Sequence, residues 1–393
     1  MKPKLPNGAK LIIERLQEHG KEAHIVGGSV RDFLLSKEPY DFDITTNALP
    51  EEMKKIFSDF RTVETGIKHG TLTVISCGEP YEVTTYRVDG EYEDHRHPTS
   101  VSFTDELVLD LSRRDFTVNA ICYSERDGFV DMFSGIDDVK NKIIRAVGEP
   151  SKRFEEDALR ILRAIRFAAV LDFEIEENTA KSAREKAHLL TSVSAERIYT
   201  EWKKLLSGTS AYKIISEHED IISVFLFPEA IILPDKKLFS SASADVRQLA
   251  IFALSLENCA ERFAEFCDRM KTDAKTKKLG HAALENLSLE LSCEKSVRLS
   301  VIKLGTEAAR LTRELQELCG NKSVVPHKKF EKVINSGYPL SLSELKVNGE
   351  DMKELGFNGR DIGEVLSRLL TMTALDEIKN EREALILAAK NFK

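Results

Sequence analysis

Residues 25–46, IVGGSVRDFLLSKEPYDFDITT, decide the fold of the first part of the chain. The stretch begins with a short apolar run and a Gly27-Gly28 turn, continues into a helix that opens near Ser29, and ends in a strand. Paired glycines let the backbone approach a phosphate closely. A helix that starts just after them directs unpaired N–H groups and the positive end of its dipole at an anion. Together with the charged donor Arg31, this turn predicts a triphosphate-binding site.

The strand at the end of the stretch carries Asp41 and Asp43. Because one residue separates them, both side chains should project from the same face. Two adjacent carboxylates repel each other unless a cation lies between them, and Mg²⁺ prefers oxygen ligands of this kind. Taken singly, a Gly-Gly pair is typical of a plain turn and a D-x-D of a solvated strand edge. Their ordered combination predicts nucleotidyl transfer, with Asp41 and Asp43 as metal ligands.

The sequence GGSVRDFLL followed by DFDITT resembles the nucleotidyltransferase superfamily that includes DNA polymerase β. More narrowly, it is similar to the bacterial CCA-adding tRNA nucleotidyltransferases and their poly(A) polymerase relatives. The resemblance extends over roughly residues 22–210. It implies an α+β protein with a mixed αβ nucleotidyltransferase head at residues 1–148. An all-helical neck and body would follow at residues 149–235, and a helical body and tail at residues 236–393.

The composition is that of an ordinary globular protein: 393 residues, of which 42% are hydrophobic and 31% charged. A net charge of −8 argues against a globally basic nucleic-acid binder, although a local basic groove would suffice for RNA. The six cysteines form no C-x-x-C, which disfavours disulfide or metal frameworks and favours a reducing compartment. The N-terminus lacks a secretory pattern, and the apolar stretch 221–233 is too short to span a bilayer. We therefore expect a cytoplasmic protein with no membrane association.

Beyond the opening stretch, the pattern predicts helices at residues 11–19 and 49–57 and strands at residues 66–76 and 81–87, joined by a turn at 78–80. Glu82 lies on the second strand. If that strand lies beside the one that carries Asp41 and Asp43, three carboxylates converge; otherwise Glu82 is an exposed strand residue. Asp110 competes with Glu82 as the third catalytic acid. Residues 88–107 lack periodicity and predict a long mobile loop, which in the CCA-adding family is linked to addition of the final A.

Residues 110–123, DLSRRDFTVNAICY, resemble the family motif RRDFTxNA. Arg114 offers a bidentate donor fork to phosphate oxygens. Asp115 can accept a hydrogen bond from a ribose hydroxyl. The plainer interpretation of this motif is a helix N-terminus with Asp115 as its cap.

Residues 152–173 predict one amphipathic helix. Its apolar arc is Ala158, Ile161, Leu162, Ile165 and Ala169, and its polar side is Asp157, Arg160, Arg163 and Arg166. The plainer interpretation is a solvated basic face with an Asp157–Arg160 ion pair, worth only about 0.2–0.5 kcal/mol.

A sharper interpretation follows from hydrogen-bond chemistry. Asp157 accepts and Arg160 donates, which complements cytosine and adenine, whereas uracil and guanine would present like groups to like groups. Each unpaired buried polar group costs about 1–3 kcal/mol, so the pair could select C and A together. Glu156, Asp157 and Arg160 also match the family motif EDxxR, to which the family assigns nucleotide selection. Arg163 and Arg166 would then serve stacking or triphosphate contacts.

The rest of the chain predicts helices, including residues 177–188 and 195–206, the latter with Ser194 as its cap. Residues 240–318 are amphipathic, with lysines that either contact tRNA phosphates or form a solvated face (Lys271, Lys275, Lys277 and Lys278). In residues 347–370 two helices start after glycine-containing turns, at residues 348–351 and 358–361.

The resemblance implies template-independent addition of C, C and A to the 3′ end of tRNA from CTP and ATP. It implies Mg²⁺ held by Asp41 and Asp43, with Glu82 aiding deprotonation and Gly27, Gly28, Arg31 and Arg114 holding the triphosphate. The rival functions are a poly(A) polymerase, an enzyme that adds only CC or only A, and a non-catalytic RNA-binding protein. The intact D-x-D argues against the last of these. The sequence leaves a homodimer open.

Overall fold

The computed structural model describes residues 3–90 and 101–392, apart from the side chain of Asp89. The chain divides into two compact units, Met1–Pro228 and Glu229–Lys393. Over the described residues, the first unit combines sheets and helices and the second is helical. This architecture confirms the predicted α+β class. The finer division near residues 148 and 235 stays a prediction.

The strands of the first unit build one large sheet and two small ribbons. They are β1 (Ala23–Val26), β2 (Asp43–Thr46), β3 (Arg61–Val63), β4 (Thr71–Ser76), β5 (Glu79–Thr85), β6 (Arg87–Asp89), β7 (Val101–Phe103), β8 (Ile121–Ser124), β9 (Gly128–Asp131), β10 (Ile143–Ile144) and β11 (Glu174–Ile175). The sheet has seven strands in the order β3-β4-β5-β2-β1-β8-β9. Its neighbours are antiparallel except the central β2–β5 pair, which is parallel. β6 pairs with β7, and β10 pairs with β11.

Helices cover the sheet and then continue the first unit as a helical segment. They are α1 (Asn7–Glu18), α2 (Gly28–Leu34), α3 (Pro50–Ile56), α4 (Leu107–Ser112), α5 (Gly135–Asn141), α6 (Pro150–Glu156), α7 (Leu159–Leu171), α8 (Glu177–Glu185), α9 (Ala195–Leu206), α10 (Ala211–Glu217) and α11 (Glu219–Ile222). No helix within the described parts of the chain is both long and apolar enough to cross a membrane.

The larger core of the head lies on one face of the sheet. Along β4 buried and partly exposed residues alternate, as the two-residue period of a strand requires. The buried Leu72 and Val83 join Ile12 of α1 and Met53 of α3 in one hydrophobic cluster. A smaller cluster, which includes Val26, Cys122 and Leu111 of α4, covers part of the opposite face.

Two sequence predictions about the β4–β5 hairpin and its continuation need correction. The turn lies at Cys77 and Gly78, both with positive φ (52° and 87°), as a two-residue hairpin turn requires, so β5 already begins at Glu79. The predicted loop 88–107 is wrong at both ends, because β6 and β7 pair there and α4 begins at Leu107. Residues 91–100, the middle of that loop, lie outside the described residues.

The single helix predicted over residues 152–173 is also wrong. α6 ends at Glu156, Asp157 adopts extended backbone angles (φ −138°, ψ 102°), and α7 begins at Leu159. The cause is local: Oδ1 of Asp157 accepts a hydrogen bond from the Leu159 amide at 3.1 Å, so this side chain caps the new helix. The predicted apolar arc is confirmed, since its five residues are fully buried: Ala158, Ile161, Leu162, Ile165 and Ala169.

The second unit is built of short helices. They are α12 (Lys236–Ser241), α13 (Ala244–Ser255), α14 (Cys259–Arg269), α15 (Ala274–Glu285), α16 (Glu294–Leu304), α17 (Thr306–Leu318), α18 (His327–Ile334), α19 (Gly349–Glu354), α20 (Arg360–Ala374) and α21 (Arg382–Lys390). Both predicted helix starts are confirmed, and Asn348 caps α19 by accepting from the Glu350 amide at 2.8 Å. Two of the lysines considered for tRNA contact form ion pairs instead, Lys275 with Glu307 and Lys277 with Asp268.

Candidate active site

The glycine turn and the two acids meet at one end of the central strands β1 and β2. β1 and β2 are antiparallel with Val26 opposite Asp43, so the residue after Val26, Gly27, comes beside the acid-bearing end of β2. Gly27 has φ 81°, a conformation that disfavours any side chain, and it immediately precedes α2. Gly28 is the first residue of that helix. The backbone therefore turns sharply within reach of the acids.

Asp41 and Asp43 are both exposed, whereas Phe42 packs against the core and Ile44 is fully buried. This alternation places the two acids on the side of the strand away from the core, as predicted. Asp41 itself precedes β2, which begins at Asp43. The dyad therefore lies at the strand entrance, where backbone and side chains are open to a ligand.

β5 lies directly beside β2, with Ile44 opposite Val83 in a parallel register. The preceding residues, Asp43 and Glu82, are consequently neighbours, so the condition under which three carboxylates approach each other is met. The pKa of Asp43 is raised to about 6, first because the surrounding protein partly desolvates its carboxyl group and then by the charge of Asp41, with a further contribution from Glu82. The positive charge of Arg114 opposes this rise.

The carboxylates close to one another at this site determine whether it can bind a divalent cation. Part of the rise in the Asp43 pKa comes from the negative charges of Asp41 and Glu82, and a hard cation between the oxygens would relieve this repulsion. Asp41 and Asp43 therefore fit Mg²⁺ in donor chemistry. No group of three or more His, Cys, Asp or Glu residues in the described ranges is already arranged to hold a metal ion. The dyad thus provides two ligand residues, with Glu82 nearby rather than part of a finished ligand set.

Asp110, the competing third acid, has a different environment. It is fully buried, and its Oδ1 accepts from Nε and Nη2 of Arg113 at 3.0 and 2.7 Å. Its Oδ2 accepts from Thr45 Oγ1 at 3.1 Å. Burial would raise the pKa of Asp110, but the charges of Arg113 and Arg114 outweigh burial and hold it below its ordinary value. Asp110 is thus a buried, paired carboxylate, and the role of Glu82 as the third acid stays a prediction.

Arg114 lies between the glycine turn and the acids. Its Nη2 is 3.5 Å from Asp110 Oδ2, and its Nη1 is 3.5 Å from the point where a Cβ on Gly27 would lie. The Nε of Arg114 is buried and has no hydrogen-bond partner among the residues that the structure describes. Such an orphaned donor is uncommon in a folded protein and calls for an explanation. A phosphate oxygen over the Gly27 turn would supply an acceptor for this guanidinium.

Asn119 connects Arg31 to Asp115, a link that the sequence analysis missed. Arg31 is buried and donates to Asn119 Oδ1 at 2.8 Å, while the Asn119 amide donates to Asp115 Oδ1 at 3.1 Å. The second oxygen of Asp115 accepts from Nε and Nη2 of Arg163 at 2.9 and 2.6 Å. Asp115 therefore ties the head to α7, rather than capping an α-helix as the plainer interpretation had it.

The environment of Asp115 keeps it ionised. Burial by itself would raise the pKa of its carboxyl group, but the charge of Arg163 and the hydrogen bonds from Asn119 and Arg163 lower that pKa to about 2. The ionised carboxylate orients Arg163 through two hydrogen bonds, from Nε and Nη2, to its one oxygen Oδ2.

Three guanidinium groups gather around the ring of Phe167. The guanidinium carbon of Arg166 lies 3.4 Å from the ring centroid, and those of Arg31 and Arg163 each lie 5.3 Å from it. Arg166 donates to the buried Glu201 at 2.8 Å. The arginine side of α7 is therefore packed and paired, and the interpretation as a solvated basic face is wrong. The cluster concentrates positive charge near the glycine turn.

The expected Asp157–Arg160 ion pair is replaced by two separate pairs. Asp157 Oδ2 accepts from Arg197 Nη2 at 2.9 Å. Arg160 Nη1 donates to Glu156 at 2.9 Å, and its Nη2 donates to the Arg113 carbonyl at 2.8 Å. The break between α6 and α7 causes this change, because Asp157 leaves the helical phase that the sequence analysis assumed. The two side chains are held independently and retain further hydrogen-bonding capacity.

Arg197 and Glu201 are further residues that the sequence analysis did not assign. They are one helical turn apart on α9, so they share a face, and both contact α6–α7 side chains. The sequence analysis predicted only a helix at residues 195–206, within the neck and body that the resemblance implies for residues 149–235. An i, i+4 pair of opposite charges beside a buried tryptophan was the available signal, but this spacing is equally typical of an exposed ion pair.

Comparison with known proteins finds relatives that match nearly the full length of this chain. Family models described as "Poly A polymerase head domain", "Probable RNA and SrmB- binding site of polymerase A" and "tRNA nucleotidyltransferase domain 2" match residues 23–145, 172–230 and 243–389. The CCA-adding enzyme of Ligilactobacillus salivarius is 35% identical, with 97% of this chain and 95% of the relative covered. That of Lactococcus lactis subsp. cremoris strain MG1363 is 37% identical, with 98% and 96% covered.

A solved structure gives the same result. The crystal structure of the Bacillus stearothermophilus CCA-adding enzyme in complex with CTP has a TM-score of 0.79 and 31% identity, with 100% of this chain and 98% of that chain covered. Identity of this level over nearly the full length of both chains exceeds a likeness of fold alone. The resemblance predicted from the sequence is confirmed, and the chain belongs to the CCA-adding enzyme family of tRNA nucleotidyltransferases.

Proposed function

We propose that this protein adds C, C and A in turn to the 3′ end of tRNA, using CTP and ATP and no nucleic-acid template, and releases pyrophosphate. The observation that carries the proposal is the convergence of the Gly27 turn with Asp41 and Asp43 at one sheet edge. The relatives are named for CCA addition, and the matched Bacillus stearothermophilus enzyme binds CTP. A head that holds metal and triphosphate, followed by a neck that reads the base, accounts for selection without a template.

Asp41 and Asp43 would hold divalent metal ions, with Mg²⁺ favoured by their oxygen donors. When bound, such ions lower the pKa of an attacking hydroxyl and neutralise charge on the phosphates and the pyrophosphate leaving group, which is the two-metal arrangement. Glu82, whose charge also acts on Asp43, would accept the proton of the tRNA 3′-hydroxyl. Its exposure suits this task, because a buried paired acid such as Asp110 has no free capacity for proton transfer.

The triphosphate would lie against the Gly27–Gly28 turn. Arg114, with its unpartnered buried Nε, and Arg31 flank that turn, and Arg163 and Arg166 add charge from α7. Guanidinium groups held by carboxylates are already oriented, so little conformational entropy is lost when they bind phosphate. Most of the rate acceleration would then come from positioning and charge stabilisation, as in other phosphoryl transfers.

Asp157 and Arg160 would read the base. A carboxylate has about four acceptor positions and a guanidinium five N–H donors, so the contacts described above leave both groups able to bind a base. An acceptor from Asp157 and a donor from Arg160 complement the amino group and ring nitrogen of cytosine and of adenine. Asp115 would contribute by orienting Arg163.

The proposal is tested by incubating the purified protein with end-trimmed tRNA, Mg²⁺ and each nucleotide alone and in combination. We expect CTP alone to add two residues and CTP with ATP to complete three. Long A tails from ATP on unrelated RNA would indicate a poly(A) polymerase. Products that stop at CC, or that form only when CC is already present, would indicate a partial enzyme. Absence of incorporation in all reactions would contradict the proposal.

Base selection is tested separately with Asp157→Ala. We expect this variant to accept UTP and GTP more readily relative to CTP and ATP, while addition of the correct nucleotide slows less. Lys204→Ala, an exposed position on α9, is the matched control. An unchanged nucleotide preference in Asp157→Ala would contradict the assignment of Asp157 to the base.

A further inference from the structure

Tyr40 is the most exposed large hydrophobic side chain in the described parts of the chain. Its whole surface is accessible (100%), whereas the next most exposed, Leu387, is 66% accessible. The ring of Tyr40 makes no hydrogen bond or ring contact with another residue in the described ranges. Tyr40 immediately precedes Asp41, so their Cα atoms are about 3.8 Å apart. An aromatic ring without a packing partner therefore lies beside the acid dyad.

The backbone on either side of Tyr40 is held in place. α2 ends in a Schellman motif, whose outer hydrogen bond runs from the Lys37 amide to the Asp32 carbonyl at 2.8 Å. On the other side of Tyr40, Phe42 packs against Phe33 of α2, with the ring centroids 5.9 Å apart. The ring of Tyr40 is thus unpacked although the chain that carries it is anchored at both ends.

An aromatic ring in this place suits an unpaired nucleobase. Proteins hold single-stranded RNA by stacking its bases on aromatic side chains, and stacking tolerates any base because every base has a π-face. A tyrosine loses little conformational entropy in such a contact, since it has only two side-chain torsions. The last nucleotide of a tRNA acceptor end changes as nucleotides are added, so the contact that holds its base must not depend on base identity.

We infer that Tyr40 stacks on the 3′-terminal base of the tRNA acceptor end and thereby positions the terminal ribose beside Asp41 and Asp43. This inference rests on the proposed function. The attacking 3′-hydroxyl must come close to the two acids, so the terminal nucleoside lies next to them. Tyr40 is within reach of its base because it is the neighbour of Asp41 in the chain. The incoming nucleotide has the Gly27 turn for its triphosphate, which leaves Tyr40 to the acceptor.

The first test measures the Kd of end-trimmed tRNA in EDTA, without nucleotide, so that no addition takes place. Tyr40→Ala should bind this tRNA about tenfold more weakly than the wild type, whereas Tyr40→Phe, which keeps the ring, should bind it equally well. With a tRNA whose terminal nucleotide lacks its base, the wild type and Tyr40→Ala should have the same Kd, because the stacking partner is missing. Leu11→Ala, which removes an exposed apolar side chain of α1, is the matched control and should leave the Kd unchanged.

Steady-state kinetics separate the acceptor from the incoming nucleotide. In Tyr40→Ala the KM for tRNA should rise about tenfold and the KM for CTP should stay unchanged. The midpoint of thermal unfolding should also stay unchanged, since the ring is fully exposed.

Four results would overturn the inference. They are equal tRNA affinity of Tyr40→Ala and the wild type, a Tyr40→Phe variant as weak as Tyr40→Ala, an undiminished effect of Tyr40→Ala on the tRNA without a terminal base, and a rise confined to the KM for CTP. Failure of the wild-type protein to add C, together with a tRNA affinity that still depends on the ring of Tyr40, would instead contradict the proposed function.

Discussion

The carboxylates of the head fall into two groups with opposite surroundings. Asp43, beside Asp41 and Glu82, is open to the cleft, and its pKa is raised to about 6. Asp115 is buried among arginine and asparagine donors, and its pKa is lowered to about 2. The two groups are linked through Arg114, which acts on Asp43 and contacts Asp110. Aspartates of the head thus occur in two environments: one group is crowded by other carboxylates, and the other is paired with guanidinium groups.

The difference shows which acids are available for chemistry. A carboxylate that already has guanidinium partners holds those side chains in position, because any new ligand must first displace them. A carboxylate crowded by its own kind has capacity for a cation and loses repulsion when one binds. Raised pKa values of this sort are typical of functional sites. The comparison therefore predicts that substitutions in the first group affect catalysis, whereas substitutions in the second affect folding.

The largest effect is expected for Asp43→Ala and, in parallel, Asp41→Ala. Loss of a metal ligand should lower kcat/KM for CTP more than about a thousandfold, because several kcal/mol of transition-state stabilisation depend on it. The free energy of unfolding should be unchanged or slightly larger, since a repelling charge is removed. Asp59→Ala, at an exposed ion pair with Arg15, is the control for general effects of charge. Turnover near the wild-type level in either variant would remove the metal-ligand assignment.

Asp110→Ala should have the opposite profile. It leaves Arg113 and Arg114 without their buried partner, which costs about 3 kcal/mol of unfolding free energy. The free energy of unfolding in urea measures this loss, and Asp43→Ala in the same assay is the matched comparison. Equal stability of the two variants would show that the pairing of Asp110 is not what distinguishes the groups.

A smaller effect is expected for Glu82→Gln. As an acceptor for the proton of the attacking hydroxyl, Glu82 should contribute about a hundredfold to the rate at neutral pH. KM for CTP should change little, because Glu82 does not contact the base or the triphosphate in this scheme. Glu79→Gln, exposed at the start of the same strand, is the control. A rate equal to that of wild type would return Glu82 to the status of an ordinary strand residue.

The sequence predicted those parts of the site that depend on short spacings. Asp41 and Asp43 share a face because strand periodicity is local, and Gly27 meets them because the antiparallel pairing of β1 and β2 follows from the fold family. The buried apolar residues of α7 were likewise predicted correctly, since burial follows the helical period.

Contacts over long separations were not predictable from spacing. Arg197 reaches Asp157 over 40 residues, and Asn119 reaches Arg31 over 88. The break at Asp157 was missed for a different reason: an aspartate inside a helical pattern either tolerates the helix or bonds the backbone of a new one, and the spacing of apolar residues is the same in both cases. The pairing of β6 with β7 was missed because neither segment has a core-facing pattern of its own.

The smallest effect sharpens the comparison through pH. The pKa of Asp43 rises from an ordinary value of 3.8 to about 6 on folding, so the folded protein binds its proton more tightly than the unfolded chain. The associated stability is present below pH 3.8 and is lost as pH rises through 6. Asp43→Asn, which is neutral at every pH, should therefore raise the unfolding midpoint by about 1 °C at pH 8 in EDTA and leave it unchanged near pH 4. Added Mg²⁺ should stabilise the wild type and not the variant, because only the ionised dyad offers full ligands. An equal difference in unfolding midpoint between variant and wild type at both pH values would show that the neighbours of Asp43 do not raise its pKa. Asp43 and Asp115 would then differ in position and not in charge environment.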